Sequence, residues 1–213
     1  MQRTKLEWLV PAFAAAVLAG ASLWGASAEA TVMVELTLED MARDAVAIVH
    51  GRVIRTGGHL GIREGSAEPY TVTTLDVIEW IKGPGGDRVE LREIGGELGG
   101  GRGGMAIDGV PNYTAGEEVV VFLEDDPDAD FYRTYGMVQG KFVVLHGVPG
   151  VPDTVVRDSE AVAFARWTEG RMILQRGTRQ AMSLETFLDV VAGVLRLAPP
   201  RIEAPAVTNE VSR

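Results

Sequence analysis

Apolar residues fall in short runs along the chain, and the runs differ in their spacing. "EEVVVFLED" (117–125) is continuously apolar at its centre, which predicts a strand that is buried on both faces. "VAIVHGRVIRTGG" (46–58) and "YTVTTLDVIEWIKG" (70–83) are rich in β-branched residues and end at glycine, as is typical of strands. The alternation in the second of these changes parity near Asp76, so we expect a β-bulge there.

Several shorter segments predict further strands. "RVELREI" (88–94) alternates so that Val89, Leu91 and Glu93 share one side. The segment 159–180 is left unassigned, because "AVAFARW" within it fits both a strand and a helix. Three more predicted strands are "FYRTYGMVQ" (131–139), "KFVVLHG" (141–147) and "TVVRD" (154–158).

Two segments have the spacing of helices. Thr37 is a plausible N-cap, Asp40 follows it as in a capping box, and the apolar residues after the cap repeat on one helical face. "SLETFLDVVAGVLRL" (183–197) has an apolar stripe, is capped by Ser183 and is stopped by Pro199 and the next proline. We therefore predict a mainly-β fold: an OB-like, partly closed barrel with a short N-terminal helix and a C-terminal helix.

Glycine-rich segments connect the predicted strands. Residues 57–69 are predicted as a turn-rich loop. "GGELGGGRGG" (95–104) has the spacing Gly-x4-Gly, but no lysine, serine, threonine or helix follows it as a phosphate-binding loop requires. A mobile connection between strands is the simplest interpretation. The alternative is a partner-binding loop that orders on contact, with Arg102 as its charged anchor.

The first thirty residues have the layout of a secretory signal peptide. Basic residues precede an apolar run from Leu9 to Leu23, and Ala28-Glu29-Ala30 places small residues at a cleavage site. Cleavage after Ala30 or after Ala28 is expected, and an uncleaved membrane anchor is the alternative. The run is shorter than the ~20 residues of a spanning helix.

This leader sets the expected organisation and location of the chain. Residues 1–30 are a signal peptide, 31–197 form a single mainly-β domain, and 198–213 are a disordered tail with little to pack. The protein is exported, to a periplasm or to the extracellular space.

Composition narrows the expected chemistry. The chain has 20 basic and 30 acidic residues, a net charge of −10, with no basic cluster, so nucleic acid is not an expected partner. We also expect no membrane association after cleavage, and no cofactor. Cysteine is absent, which excludes disulfides and thiol chemistry. A serine-nucleophile elbow is absent as well.

Few residues are candidates for a site. The histidines His50, His59 and His146 are scattered, and we take His50 and His146 as candidate ligand-binding residues. If a pocket brought these two together with carboxylates, an enzyme would be favoured. No catalytic residue can be named from the sequence.

The acidic turn is a candidate calcium site. Asp126, Asp128 and Asp130 match the start of an EF-hand loop, but Phe131 and Met137 stand where that loop needs glycine and a bidentate acid. The simpler interpretation is a solvated hairpin turn.

Three segments together resemble the netrin-like domain, which includes the tissue inhibitors of metalloproteinases. They are "RDAVAIVHGRV" (43–53), "WIKG" (80–83) and "YTAGEEVVVFLE" (113–124), and "GMVQGKF" (136–142) is similar to a segment of secreted bacterial proteins with this layout. The resemblance covers about residues 44–145. It implies an OB-like five-stranded barrel with a binding role and not a catalytic one. The matching residues are Gly51, Val53, Lys82, Gly83, Gly116 and Leu123.

The chain also departs from that family. Val46 stands where an acidic residue is usual, and the mature N-terminus near Thr31 lacks the cysteine with which the family's inhibitors chelate zinc. Inhibitory residues therefore cannot be transferred to this chain. We expect a non-enzymatic module that binds a protein or another extracytoplasmic ligand through loops 57–69 and 95–113. The alternatives are an inhibitor of an exported protease and a hydrolase whose site is assembled only in the fold.

Overall fold

The computed structural model describes residues 31–63, 66–100, 103–128 and 130–197. Strands predominate in them, and one helix lies near each end of this part of the chain. The predicted mainly-β fold with two terminal helices is therefore confirmed. The predicted signal peptide, the predicted tail and Arg102 lie outside the described residues.

Both helices begin where the capping pattern predicts. In α1 (Leu38–Asp44), the Thr37 hydroxyl accepts a hydrogen bond from the Asp40 backbone N–H at 3.0 Å. In α2 (Leu184–Leu197), the Ser183 hydroxyl accepts one from the Thr186 N–H at 3.1 Å. Each cap pairs an N–H that the first helical turn leaves without a partner. None of the helices in the described part of the chain is long and apolar enough to cross a bilayer.

Strands make up the rest of the regular structure, together with a 3-10 helix (Met137–Gly140). The strands are β1 (Val32–Val34), β2 (Ala47–Arg63), β3 (Ser66–Lys82), β4 (Arg88–Ile94), β5 (Gly96–Glu97), β6 (Gly104–Met105), β7 (Glu118–Asp125), β8 (Tyr132–Thr134), β9 (Lys141–Leu145), β10 (Thr154–Asp158), β11 (Ala163–Thr168), β12 (Arg171–Arg176) and β13 (Arg179–Ser183).

These strands form three sheets among the described residues. The largest has the order β13-β10-β9-β7-β2-β3-β4-β8, and β8 pairs additionally with β7. A three-stranded sheet has the order β1-β11-β12, and β5 pairs with β6. The pairings β4–β8 and β1–β11 are parallel and the others are antiparallel.

Strand β7 separates two hydrophobic clusters, which explains its continuous apolar sequence. Val120 and Phe122 face the cluster that holds both helices. Val119, Val121 and Leu123 face the other cluster, together with apolar residues of β2, β3 and β4. All five side chains are fully buried. The prediction of a strand buried on both faces is thus confirmed.

The described residues of the predicted loop 57–69 form strands instead. Residues 57–63 continue β2 and residues 66–69 begin β3, and pairs such as Gly57 with Val72 and His59 with Tyr70 extend the antiparallel ladder. Glycine suits this hairpin because another chain segment packs directly on the backbone. A Cβ at Gly61 would lie 2.7 Å from the Tyr70 ring.

The expected irregularity in the long hairpin is present close to the predicted point. The β2–β3 register shifts between His50 and Gly51, whose partners are Glu79 and Val77. Ile78 is the extra residue of that shift, two positions beyond Asp76. Further shifts occur at both sides of it, and such bulges increase the bend and twist of a strand.

The unassigned segment 159–180 contains strands rather than a helix. β11 and β12 form a hairpin through a two-residue turn in which Glu169 and Gly170 both have positive φ, the geometry of a type I′ turn. The glycine segment 95–104 holds part of the short β5–β6 pairing.

Candidate functional site

A cleft of about 620 Å³ lies between the β2–β3 hairpin, β4, and the ends of β7 and β8. This volume is within the range of small-molecule sites. Its walls combine apolar side chains with several ionisable ones. The apolar side chains are Ile62, Pro69, Tyr70, Ile94, Val110 and Met137.

Glu93 is a buried carboxylate in the wall of this cleft. It lies on the inward side of β4, as the alternation with Val89 and Leu91 predicts. Its Oε1 accepts hydrogen bonds from the Thr134 backbone N–H at 2.8 Å and from the Thr134 hydroxyl at 2.6 Å. The Tyr113 hydroxyl lies 2.6 Å from the same threonine oxygen. A chain of three buried polar groups therefore links β4, β8 and the segment before β7.

Burial raises the pKa of Glu93 to about 7, because the charged form loses its hydration. The hydrogen bonds from Thr134 and the charge of Arg133 favour the carboxylate and only partly offset this effect. Burial also raises the pKa of the Tyr113 hydroxyl, and the nearby Glu93 adds to the shift. A carboxyl group that titrates near neutrality within a cleft is a characteristic of functional sites.

A partly buried ion pair forms another part of the cleft. Arg92 Nε and Nη2 donate to the two carboxylate oxygens of Asp126 at 2.6 and 3.1 Å. The guanidinium carbon lies 5.5 Å from the centre of the Tyr70 ring, a cation–π distance. The Tyr70 ring also stacks with His59, with ring centres 5.5 Å apart. Tyr70 is therefore held in place by charge and by stacking.

A second ion pair, Arg133 Nε with Glu124 Oε1 at 2.8 Å, completes the charged wall. It joins β8 to β7 across the antiparallel register of these strands. The cleft thus presents two arginine–carboxylate ion pairs next to apolar surface, and its carboxyl groups, those of Glu68, Glu93, Glu124, Asp126 and Asp128, outnumber its two arginines. It suits a small ligand with an apolar body and hydrogen-bonding groups better than a strongly anionic one.

The calcium candidates have different roles in the structure. Asp126 is bound by Arg92 and also accepts from the Asp128 backbone N–H at 2.9 Å, and only 5% of its side chain is exposed. Asp128 approaches Arg92 at 3.9 Å, while Asp130 is exposed. In the described residues, no group of three or more His, Asp or Glu side chains is arranged to hold a metal ion.

The two candidate histidines meet at one carboxylate. His50 Nε2 lies 2.9 Å from Glu118 Oε1, and His146 Nε2 lies 3.2 Å from Glu118 Oε2. Arg52 Nη2 donates to Oε2 at 2.8 Å. His146 Nδ1 also lies 3.0 Å from Asp153 Oδ2. This histidine–carboxylate cluster joins β2, β7 and the loop between β9 and β10.

The cluster shifts the pKa of three of its members. The hydrogen bond to Asp153 and the charge of Glu118 raise the pKa of His146. Burial opposes the ionisation of Glu118, but hydrogen bonds from Arg52 and His50 outweigh it and lower the pKa. The Gly147 backbone N–H lowers the pKa of Asp153. At neutral pH, both carboxylates are therefore charged.

The sequence indicates His50 and His146 as candidate site residues, but it indicates neither Glu118 nor Glu93. For Glu93 a signal existed, since a glutamate on the inward side of a strand must be buried or neutralised. For Glu118 no local signal exists, because His146 reaches it only through the pairing of β7 with β9.

The residues that carry the netrin-like resemblance have local structural roles. Lys82 Nζ donates to the carbonyls of Ala42, Arg43 and Ala45 at the end of α1, at 3.2, 2.9 and 2.5 Å. A Cβ at Gly51 would lie 2.8 Å from the Asp76 carbonyl oxygen. Comparisons with protein-family models, curated proteins and solved structures found no match. The resemblance therefore stays a hypothesis.

Proposed function

We propose that this chain is an exported, non-enzymatic binding module that holds a small ligand in the cleft beside Glu93. The observation that carries the proposal is the cleft itself, in which Tyr70 and Arg92 stand next to the buried Glu93–Thr134–Tyr113 chain. Apolar area supplies affinity in such a site, and a few fixed polar groups supply orientation. Export rests on the signal-peptide pattern of residues 1–30.

The proposal includes an OB-like barrel as the scaffold of the cleft. Five pairings support this scaffold: β7–β2, β2–β3, β3–β4, β8–β7 and the single residue pair of β4–β8. Apolar residues of β2, β3, β4 and β7 meet in one cluster, which would form the interior of the barrel. The cleft lies at one end, where the β2–β3 hairpin extends beyond β4. Ligand sites at the mouths of such barrels are common.

An NMR fragment screen tests the binding site. Uncharged aromatic and sugar-like fragments are titrated into ¹⁵N-labelled protein, and we expect shift changes at Ile94, Thr134 and Tyr70. Tyr70→Ala should weaken binding at least tenfold, whereas Trp80→Ala, an aromatic change outside this cleft, should leave it unchanged. Shift changes confined to other regions, or equal effects of both variants, would refute the proposed site.

A hydrolase is the second candidate, and the histidine–carboxylate cluster is the observation in its favour. Three hydrogen-bonding contacts of 2.9 to 3.2 Å link His50 to Glu118, Glu118 to His146, and His146 to Asp153. None of the four lines the 620 Å³ cleft. Hydrolysis of chromogenic esters or peptides that His146→Gln abolishes would support this function over binding alone.

Inhibition of an exported protease is the third hypothesis. This function would be indicated by a free N-terminus that projects from the domain beside exposed loops. Here Val32–Val34 pair with β11, and the Thr31 carbonyl accepts from the Ala163 N–H at 3.0 Å. This arrangement gives inhibition no support. Assays against proteases secreted by the same source would test it directly.

A further inference from the structure

The hairpin β11–β12 has an exposed edge, and β12 is its outer strand. Among the described residues, β12 pairs only with β11. The two-residue turn makes Thr168 and Arg171 a hydrogen-bonded pair, and the bond from Gly177 N–H to the Val162 carbonyl confirms this alternation. The backbone N–H and C=O groups of Met172 and Leu174 therefore point away from β11.

The same strand exposes apolar side chains on one face of the sheet. Trp167 lies opposite Met172, and Leu174 lies opposite Ala165, which pairs in turn with Val34. Opposed residues share a face. Trp167 and Val34 are 74% and 72% exposed, and Met172 and Leu174 are 57% and 56% exposed. Phe164, on the opposite face, is buried. The face of the sheet that carries Trp167, Met172 and Leu174 is therefore the solvent-exposed face.

Charge distinguishes this strand from the rest of the acidic chain. Arg171 and Arg176 stand at its two ends, and in the described structure neither forms an ion pair. Arg176 Nε donates to the carbonyl of Glu160. Exposed edges usually carry protective features such as proline, a bulge or an inward-pointing charge. Here the middle of the strand is Met172-Ile173-Leu174, so the edge is open to pairing.

We propose that β12 is a docking edge for an extended segment of another protein, with apolar residues at alternate positions and a carboxylate at each end. The segment adds a strand to the sheet by backbone hydrogen bonds to Met172 and Leu174. Its apolar side chains lie beside those two residues, and its carboxylates face Arg171 and Arg176. Strand addition of this kind gains affinity from the backbone and specificity from alternate side chains. A second copy fits less well, because the antiparallel registers that pair outward-facing residues, Leu174 with Leu174 or Leu174 with Met172, place no carboxylate opposite Arg171 or Arg176.

Fluorescence anisotropy with designed peptides tests this proposal. The probe is a fluorescein-labelled six-residue peptide, Glu-Val-Thr-Val-Thr-Glu, whose ends align with Arg171 and Arg176 and whose valines align with Met172 and Leu174. A matched peptide has lysine at each end. We expect the purified protein to bind the glutamate-ended peptide at least tenfold more tightly at low salt. Binding of neither peptide, or equal binding of both, would overturn the proposal.

Two kinds of variant distinguish the contribution of the backbone hydrogen bonds to peptide binding from that of the two arginine charges. Leu174→Pro removes an outward N–H without touching the ladder to β11, and it should reduce binding at least tenfold. The double variant Arg171→Glu/Arg176→Glu keeps the backbone and should now prefer the lysine-ended peptide, whereas Arg196→Glu on α2 should change nothing. Unchanged preference in the double variant, or self-association through this strand without peptide binding, would overturn the proposal.

Discussion

At the residue scale, the molecule is marked by carboxylates whose surroundings push them in opposite directions. Glu93 is buried and, among the described residues, accepts only from Thr134, and burial raises its pKa to about 7. Glu118 is also buried, but it accepts from Arg52 and His50, and its pKa is lowered. The difference arises from the deeper burial of Glu93 together with the hydrogen bonds that Arg52 and His50 donate to Glu118. Near neutral pH, Glu118 is therefore charged, whereas Glu93 is only partly charged.

Glu93→Gln should change how stability depends on pH. The native state of the wild type holds a proton that the unfolded state releases at lower pH, so stability falls as pH rises towards 7. Glutamine keeps the acceptor for Thr134 and cannot ionise. At one pKa unit per 1.36 kcal/mol, we expect Glu93→Gln to be ~3 kcal/mol more stable than the wild type at pH 8.

Urea unfolding at pH 4.5 and pH 8 measures this difference. Glu79→Gln, a change at an exposed glutamate of β3, is the control and should change stability by less than ~0.5 kcal/mol. If Glu93→Gln were destabilising by the same amount at both pH values, the raised pKa of Glu93 would be wrong.

Asp153→Asn should lower the pKa of His146. The hydrogen bond to Asp153 is the largest cause of the raised value, and asparagine removes the charge while preserving the shape. Any stability that protonated His146 contributes is present below pH 6.5 and is lost as pH rises through its raised pKa. NMR titration of the imidazole Cε1–H measures the shift. An unchanged titration midpoint would contradict the contact at 3.0 Å.

At the element scale, single side chains join neighbouring elements. Lys82, the last residue of β3, donates to three carbonyls at the end of α1. The end of a helix has unpaired carbonyls and a partial negative charge, which a cation satisfies. This contact fixes α1 against the hairpin. It also gives a structural reason for the lysine of "WIKG".

Lys82→Met should therefore destabilise the protein by ~2 kcal/mol, because charged hydrogen bonds to partly buried carbonyls are lost. Arg43→Met, which removes an exposed ion pair with Asp40, should cost at most ~0.5 kcal/mol. Thermal and urea unfolding of both variants provide the comparison. Equal losses would show that Lys82 contributes no more than a surface cation.

The sequence predicts the strands and helices well where apolar and polar side chains follow a regular pattern. It predicts them less well in segments that are rich in glycine. Val119 to Leu123 indicated a strand between two cores, and Thr37 and Ser183 located both helix starts. The glycines of residues 57–69 predict a loop, because glycine usually marks turns. In this hairpin, Gly61 is required instead by the tyrosine ring that packs on it. Local sequence contains no information about such a contact.

The meeting of Glu118 with His50 and His146 was also beyond local prediction. Each residue lies on a separate segment, and their contact depends on the register of β2, β7 and β9. The inward position of Glu93, in contrast, followed from alternation alone. Positions within one strand are therefore predictable, whereas clusters assembled from several strands are not.

At the scale of the whole molecule, β7 organises two cores and three aromatic rings hold one of them together. Phe122 of β7, Phe142 of β9 and Phe187 of α2 pack with ring centres 4.8 to 6.1 Å apart. Edge-to-face and tilted packing of this kind adds to the burial of apolar area. Both helices pack on the side of β7 that carries Phe122, and the other core lies on the side that carries Val121.

Phe122→Ala should cost ~4 kcal/mol, since it leaves a cavity among fully buried side chains. Trp167→Ala, at an exposed position of β11, should stay within ~0.5 kcal/mol. Guanidinium unfolding measures both variants. A small effect of Phe122→Ala would mean that the helical layer is not part of the cooperative core.

A crystallographic fragment screen of the protein is the most direct test of the binding module proposed here. The account predicts that fragments occupy the cleft, with their rings against Tyr70 and their polar atoms near Thr134 and Arg92. Fragments that gather instead at His146 and Glu118, with the cleft empty in every data set, would contradict it.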